Sequence, residues 1–178
     1  FLEWLNPKNK KKFTWSETSS NIYKFAKILK EYVKDGDRCL LISENRPEWL
    51  ISDLAIMLAN AITVPAYTTY TPEDYKYLIE DCEPSVIVVS NKEMHKKLQK
   101  IIIEKSFIKK VITFEKIEGA DYQNKYLDFN SIIKSDLLEN DKIKNLNLKR
   151  NSPACIIYTS GTGGNPKGVI LSHGGILN

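Results

Sequence analysis

Residues 158–172 read Tyr-Thr-Ser-Gly-Thr-Gly-Gly-Asn-Pro-Lys-Gly-Val-Ile-Leu-Ser, a stretch dense in groups able to hold an anion. Three hydroxyls (Thr159, Ser160, Thr162), four glycines (Gly161, Gly163, Gly164, Gly168) and one cation (Lys167) lie between two apolar β-branched runs. Glycine lets a backbone N–H turn toward a phosphate with no Cβ in the way, hydroxyls add donors, and the lysine brings formal charge. The composition is that of a phosphate-binding loop. A flexible linker is the plain alternative, but linkers are not bracketed by strand-forming residues.

Spacing then separates this loop from the two common nucleotide loops. A Walker A loop needs Gly directly before its Lys, Ser or Thr directly after it, and then a helix. Here Pro166 and Gly168 hold those places, and Val169-Ile170-Leu171 reads as a strand. A dinucleotide fingerprint beginning at Gly161 would require a third glycine where Pro166 stands. What remains is strand, Ser/Thr/Gly loop, Pro-Lys-Gly, strand, and Ser172-His173 before a helix start.

That arrangement closely resembles the phosphate loop of the AMP-forming adenylating enzymes, the superfamily of acyl-CoA synthetases, luciferases and peptide-synthetase adenylation domains. One position departs, since Gly163 stands where the family usually has threonine. The first half of the chain adds to the likeness. Leu41 to Trp49 (LISENRPEW), Asp53-Leu54-Ala55, Val64-Pro65-Ala66-Tyr67 and Thr71-Pro72-Glu73 are similar to the N-terminal region of long-chain fatty acyl-CoA synthetases. The resemblance covers Phe13 to Val89 and Ala154 to Asn178, while Asn91 to Arg150 matches only in its pattern of elements.

The resemblance implies ATP-dependent activation of a fatty acid to acyl-AMP, followed by thioester formation with coenzyme A. Carried over by position, Thr159 would touch the metal-bound phosphate region, with Mg²⁺ as the metal. Ser160, Gly161, Thr162, Gly163, Gly164 and Gly168 would belong to the phosphate cradle, and Lys167 would compensate charge on the leaving pyrophosphate. Tyr158 is expected to pack at the strand end. In the resembling enzymes the adenine and ribose contacts, a metal-completing glutamate, a hinge and a second lysine all follow this loop. Residues 1–178 are therefore expected to be the N-terminal part of an adenylation domain, catalytically incomplete alone. Another ligase of the superfamily acting on a short, aryl or amino acid, and a non-catalytic relative serving as a binding module, share the same loop.

Outside the loop, structural roles are expected. His173 reads as a cap or packing residue, and His95, on a lysine-rich helix face, as solvated. Arg46, Glu48 and Trp49 are expected to hold a helix start. Tyr67, Tyr70, Tyr75 and Tyr77 read as core and surface aromatics in preference to an acyl pocket.

The elements that must position the loop follow from periodicity. Thr14-Trp15-Ser16-Glu17 is a capping box, and Trp15, Ile22, Phe25, Ala26, Leu29 and Val33 then share one helical face until Gly36. Cys39–Ile42, Ile62–Tyr67, Val86–Val89, Val111–Phe114 and Ala154–Tyr158 read as strands. Between them, helices are expected from Pro47 to about Asn60 after an Asn45 cap, from Thr71 through Cys82, and from Asn91 to about Lys105. Glu115 to Lys125 reads as a surface excursion, Phe129, Ile132, Ile133 and Leu137 as a short helix, and Glu139 to Asn151 as an exposed connection. Strands alternating with helices of this length predict an α/β fold, a doubly wound, mostly parallel sheet flanked by helices, as in the large N-terminal domain of an adenylating enzyme.

Composition agrees. The chain has 178 residues, 42% hydrophobic and 27% charged, with a net charge of +4, ordinary values for a globular domain. Its lysines are scattered, without the clustered basic and aromatic pattern of a nucleic-acid surface. The dense run Lys8 to Lys12 reads as a solvated loop. Cys39, Cys82 and Cys155 sit singly in apolar segments, the pattern of buried reduced thiols in an intracellular protein. No apolar run approaches the length of a membrane span. The sequence reads as cytoplasmic or peripheral to an intracellular membrane, and leaves oligomeric state open.

Overall fold

The computed structural model describes residues 2–4, 11–135, 148–160 and 165–177. Among these, the strands are β1 (Leu2–Trp4), β2 (Lys11–Phe13), β3 (Arg38–Ile42), β4 (Ile62–Ala66), β5 (Val86–Val89), β6 (Lys110–Thr113), β7 (Tyr126–Asp128), β8 (Pro153–Thr159) and β9 (Lys167–Ser172). The helices are α1 (Trp15–Leu29), α2 (Pro47–Leu58), α3 (Pro72–Cys82), α4 (Lys92–Glu104), α5 (Phe129–Lys134) and α6 (His173–Ile176).

Strands β1 and β2 form a small antiparallel pair. The other seven make one sheet in the order β7-β6-β5-β3-β4-β8-β9, parallel throughout except for the antiparallel β8–β9 pair. The first strand of this sheet, β3, is flanked by the two that follow it, so the crossovers diverge from it to opposite faces. Alternate residues along β3 decide which core they enter. Cys39 and Leu41 join Val86, Val88 and Ile112 beneath α1, α2 and α5, whereas Leu40 and Ile42 join Val64, Ile87, Val89 and Val111 beneath α3 and α4. Both faces are covered, which explains why these strands read as continuous apolar runs.

Local signals set the helix starts. The Thr14 box forms, with its N–H donating to Glu17 Oε2 at 2.7 Å and the Glu17 N–H donating to Thr14 Oγ1 at 3.2 Å. Helix α3 opens on a second box, Thr71 with Asp74, and its C-terminal carbonyls are taken by Arg38, whose Nε donates to Cys82 O at 2.7 Å and Nη2 to Glu83 O at 3.2 Å. The three cysteines are free and buried, and burial pushes the Cys82 thiol up to about 12.

Several expectations change. Helix α1 ends at Leu29, well before Gly36, which instead takes a left-handed φ of 81° in the turn leading to β3. Trp15, placed on the inner face by its spacing, is 77% exposed because it is the first residue of the helix and burial begins one turn later at Thr18. The residue at the cap position of α2 is Arg46 and not Asn45, and its side chain turns to Glu48 and Glu115 in place of capping the helix N–H groups. The excursion after Glu115 is not wholly at the surface: Ile117 is buried, and it leads into the edge strand β7. Lys11 and Lys12 lie in β2 and not in a loop. Lys8 to Lys10, Leu137 and most of the 139–151 connection fall outside the described residues. No helix among the described residues is long and apolar enough to cross a membrane.

Candidate functional site

Strand β8 runs parallel to β4 and delivers Thr159 and Ser160 to the carboxyl edge of the sheet, where ligand crevices form in open α/β sheets. Strand β9 returns antiparallel in a register that sets Thr159 opposite Lys167, Tyr158 opposite Gly168 and Ile157 opposite Val169. Residues directly opposite one another project from the same face. Thr159 and Lys167 therefore stand side by side at the two stems of the loop, both exposed along with Ser160. Gly161, Thr162, Gly163 and Gly164 lie outside the described residues.

Tyr158 and Gly168 occupy the opposite face, toward α3. The Tyr158 ring is buried, and its hydroxyl donates to Asp81 Oδ2. Burial, reinforced by that carboxylate, pushes the Tyr158 phenol far above its usual range. The strand-end packing expected of this tyrosine is what the structure shows. Gly168 has a steric part in it, because a Cβ there would come within 2.8 Å of Ile156 Cγ2 and 3.3 Å of the Tyr158 ring.

Beside the loop stems lies a cleft of about 410 Å³ lined by residues that follow β3 and β4 and by the end of β8, among them Glu44, Trp49, Ala66, Tyr67, Thr68 and Ile157. Its rim is tied down from several directions. Tyr75, buried in the core, donates its hydroxyl to Tyr67 O at 2.6 Å, and Lys97 Nζ donates to Thr68 O at 2.8 Å and Tyr70 O at 2.9 Å. Asn91 Nδ2 donates to Glu44 Oε1 at 2.8 Å, joining the ends of β5 and β3. Arg46 lies 3.0 Å from Glu48 and 3.0 Å from Glu115, with the Arg46 and Glu48 side chains only 7% and 3% exposed. Arg46 and Glu48 thus hold the helix start, as expected, while Trp49 lines the cleft. The tyrosines divide as core and surface groups: Tyr75 is buried, Tyr67 exposed, and Tyr70 packs edge-on to both.

Two residues outside the motif reach the loop stems and are not legible locally. Tyr77 donates its hydroxyl to Pro166 O at 2.9 Å, and Asp81 accepts from Tyr158. Their spacing on α3 places them on one helix face, which is a visible signal, but nothing in the sequence names their partners.

The histidines part ways. His173 opens α6, its N–H donating to Ser152 O at 3.1 Å, while the cap itself is Ser172, so of the two roles expected of the histidine capping falls to its neighbour. His95 is not solvated. It is 6% exposed, with Nε2 sharing a 2.8 Å hydrogen bond with Tyr126 Oη, because β7 and the segment before it close over this part of α4.

Among the described residues no group of three or more His, Cys, Asp and Glu stands together as a metal site. Magnesium commonly keeps water and binds through a nucleotide's phosphates with one or two protein oxygens, and an exposed threonine hydroxyl at a loop stem fits that second requirement.

A family model described as AMP-binding enzyme matches residues 2–178. The long-chain-fatty-acid–CoA ligase ACSBG1 of Rattus norvegicus is 30% identical over 179 residues, covering 94% of this chain and 24% of that protein. Fatty acyl-CoA synthetase A of Dictyostelium discoideum is 33% identical over 145 residues, covering 78% and 21%. Thus the chain spans about a quarter of the length of the curated relatives it matches. Among solved structures, the anthranilate CoA ligase AuaEII in complex with anthranoyl-AMP superposes with a TM-score of 0.78 at 26% identity, covering 94% of this chain and 30% of that one. Acetoacetyl-CoA synthetase from Streptomyces lividans, at 20% identity, shares the fold with a TM-score of 0.81 over 95% of this chain and 27% of that one.

Proposed function

The chain belongs to the AMP-binding enzyme family, and on that premise we propose that the whole protein is an AMP-forming ligase that activates a long-chain fatty acid with ATP and passes the acyl group to coenzyme A. The observation that carries the reading is the pairing of Thr159 with Lys167 across β8 and β9. It places a hydroxyl and an ammonium together at the mouth of a loop whose composition suits a polyphosphate. The choice of acid rests on relatives such as the Rattus norvegicus ligase, whose name specifies a long-chain fatty acid.

In the first step a carboxylate oxygen bonds to the α-phosphorus of ATP and the bond to the bridging oxygen of pyrophosphate breaks, leaving that oxygen with the electron pair. One anion must approach another, and charge accumulates on the leaving group. Lys167 stabilises that accumulating charge, a term that grows toward the transition state. The loop N–H groups and the Ser160 hydroxyl would hold the β- and γ-phosphates, and the Thr159 hydroxyl would help to hold Mg²⁺ on them. Mg²⁺, when bound, neutralises phosphate charge. In the second step the thiolate of coenzyme A attacks the acyl carbonyl and AMP departs. Location in the cytoplasm or at the face of an intracellular membrane follows from the same reading.

The test is carboxylate-dependent exchange of labelled pyrophosphate into ATP by the purified whole protein, with palmitate, acetate, anthranilate and free amino acids compared. Exchange is expected to be fastest with palmitate. A preference for one of the other acids would reassign the substrate, and no exchange with any acid would overturn the ligase reading.

A further inference from the structure

Helix α3 holds both stems of the phosphate loop. Tyr77 and Asp81 are four residues apart and so lie on one face of the helix. From that face Tyr77 donates to Pro166 O at 2.9 Å, and Asp81 accepts the hydroxyl of Tyr158. Tyr158 is the residue immediately before Thr159, and Pro166 is the residue immediately before Lys167. Each grip therefore falls one residue ahead of a member of the cross-strand pair.

The helix that does the gripping is itself fixed. Its first turn is closed by the Thr71–Asp74 box, its last carbonyls are taken by Arg38, and Tyr75, Leu78, Ile79 and Cys82 bury its inner face. A carbonyl held at one atom leaves the following residue little freedom in where its side chain departs. Pro166 adds a fixed φ at the same point. The register of β8 and β9 sets Thr159 beside Lys167, and the two bonds hold that end of the ladder against α3 before any ligand arrives; a preorganised donor gains over one that must be ordered on binding.

We propose that Tyr77 and Asp81 are positioning residues for the phosphate loop, Tyr77 acting on Lys167 through Pro166 and Asp81 acting on Thr159 through Tyr158. The inference rests on the ligase reading given above. It does not follow from the loop motif, since both residues lie far from it in sequence.

The experiment uses the whole protein and steady-state exchange kinetics. Tyr77→Phe removes one hydroxyl and keeps the ring. It is expected to lower kcat/KM for ATP by about fivefold, the weight of one net hydrogen bond, with KM for palmitate unmoved and only a small fall in the thermal midpoint. In a Lys167→Ala background the same change is expected to have less than about a twofold effect, because two residues acting through one group are not additive. At the other stem, Asp81→Leu is expected to cost about fivefold in the same parameter, and Asp81→Asn, whose amide oxygen still accepts a hydrogen bond, to recover most of that loss. Equal kinetics for Tyr77→Phe and the unsubstituted protein, or the same loss with and without Lys167, would overturn the grip and leave the ligase reading standing. No acid-dependent exchange by the unsubstituted protein would overturn both.

Discussion

Tyr158 and Gly168 face each other across β8 and β9 so closely that a Cβ on the glycine would stand 3.3 Å from Cζ of the tyrosine ring and 2.8 Å from Ile156 Cγ2. Gly168 is absent from the described residues with positive φ, so the requirement for glycine is one of space and not of backbone conformation. The Ile156 methyl is branched at Cβ and has little room to swing away. Gly168→Ala is therefore expected to destabilise the chain by about 1 to 3 kcal/mol, the usual range for overpacking, read from the denaturant midpoint. An unchanged midpoint would show that β9 shifts freely against β8.

In the proposed reaction Lys167 supplies positive charge to the leaving pyrophosphate. Lys167→Ala in the whole protein should lower the rate of acyl-AMP formation by about 10² to 10³, the scale for one such group, with weaker effect on fatty-acid binding. Unaltered exchange kinetics would make the lysine a bystander.

The partner of that lysine across the strands supplies a different term. Thr159→Ala should raise the Mg²⁺ concentration needed for half-maximal rate, because it removes the hydroxyl proposed to meet the metal-bearing phosphates. A magnesium titration that superimposes on that of the unsubstituted protein would remove the role.

Arg46 and Glu48 form a buried ion pair at the start of α2, extended outward to the half-exposed Glu115. Removing one partner of a buried pair costs more than the pair contributes, since the other charge stays desolvated. Arg46→Ala should lower unfolding free energy by about 3 to 5 kcal/mol, measured by denaturant titration. A loss comparable to that of an exposed pair, under about 1 kcal/mol, would place the carboxylate of Glu48 in contact with solvent.

Burial lowers the pKa of His95 below its ordinary value near 6.5. The folded state then holds the neutral ring while the unfolded state takes up a proton, so the contribution is complete above about pH 6.5 and is lost as pH falls through the depressed folded value. His95→Gln can still meet the Tyr126 hydroxyl and has no titration. The difference in thermal midpoint between the two proteins should accordingly change between about pH 7.5 and about pH 5, since protonation of the unfolded histidine sets in near about pH 6.5. A constant difference across that range would show that the histidine titrates alike in both states.

How much of this was legible beforehand depends on how far each interaction reaches along the chain. The Thr14 and Thr71 boxes, the strands β3, β5 and β8 and the apolar stripe of α4 arise from residues within about four positions of one another, and periodicity exposes them. The identity of the loop was equally local, because glycine, hydroxyl and lysine must succeed one another to wrap a phosphate.

Tertiary structure decided what sheet order alone brings together. Strand β7 has three residues, too few for a period to show, and its pairing with β6 carries Tyr126 to His95 from 31 positions away. Arg46 meets Glu115 across 69 positions because parallel strands laid side by side put distant loops at the same edge, and Tyr77 meets Pro166 across 89 because α3 packs on the sheet face that carries Tyr158. A tyrosine, an arginine or a histidine has the same local pattern whichever partner the sheet later supplies. The residues that could carry the phosphate chemistry were therefore visible in one dimension, while the face they share and the helix that holds them required the antiparallel return of β9 against β8.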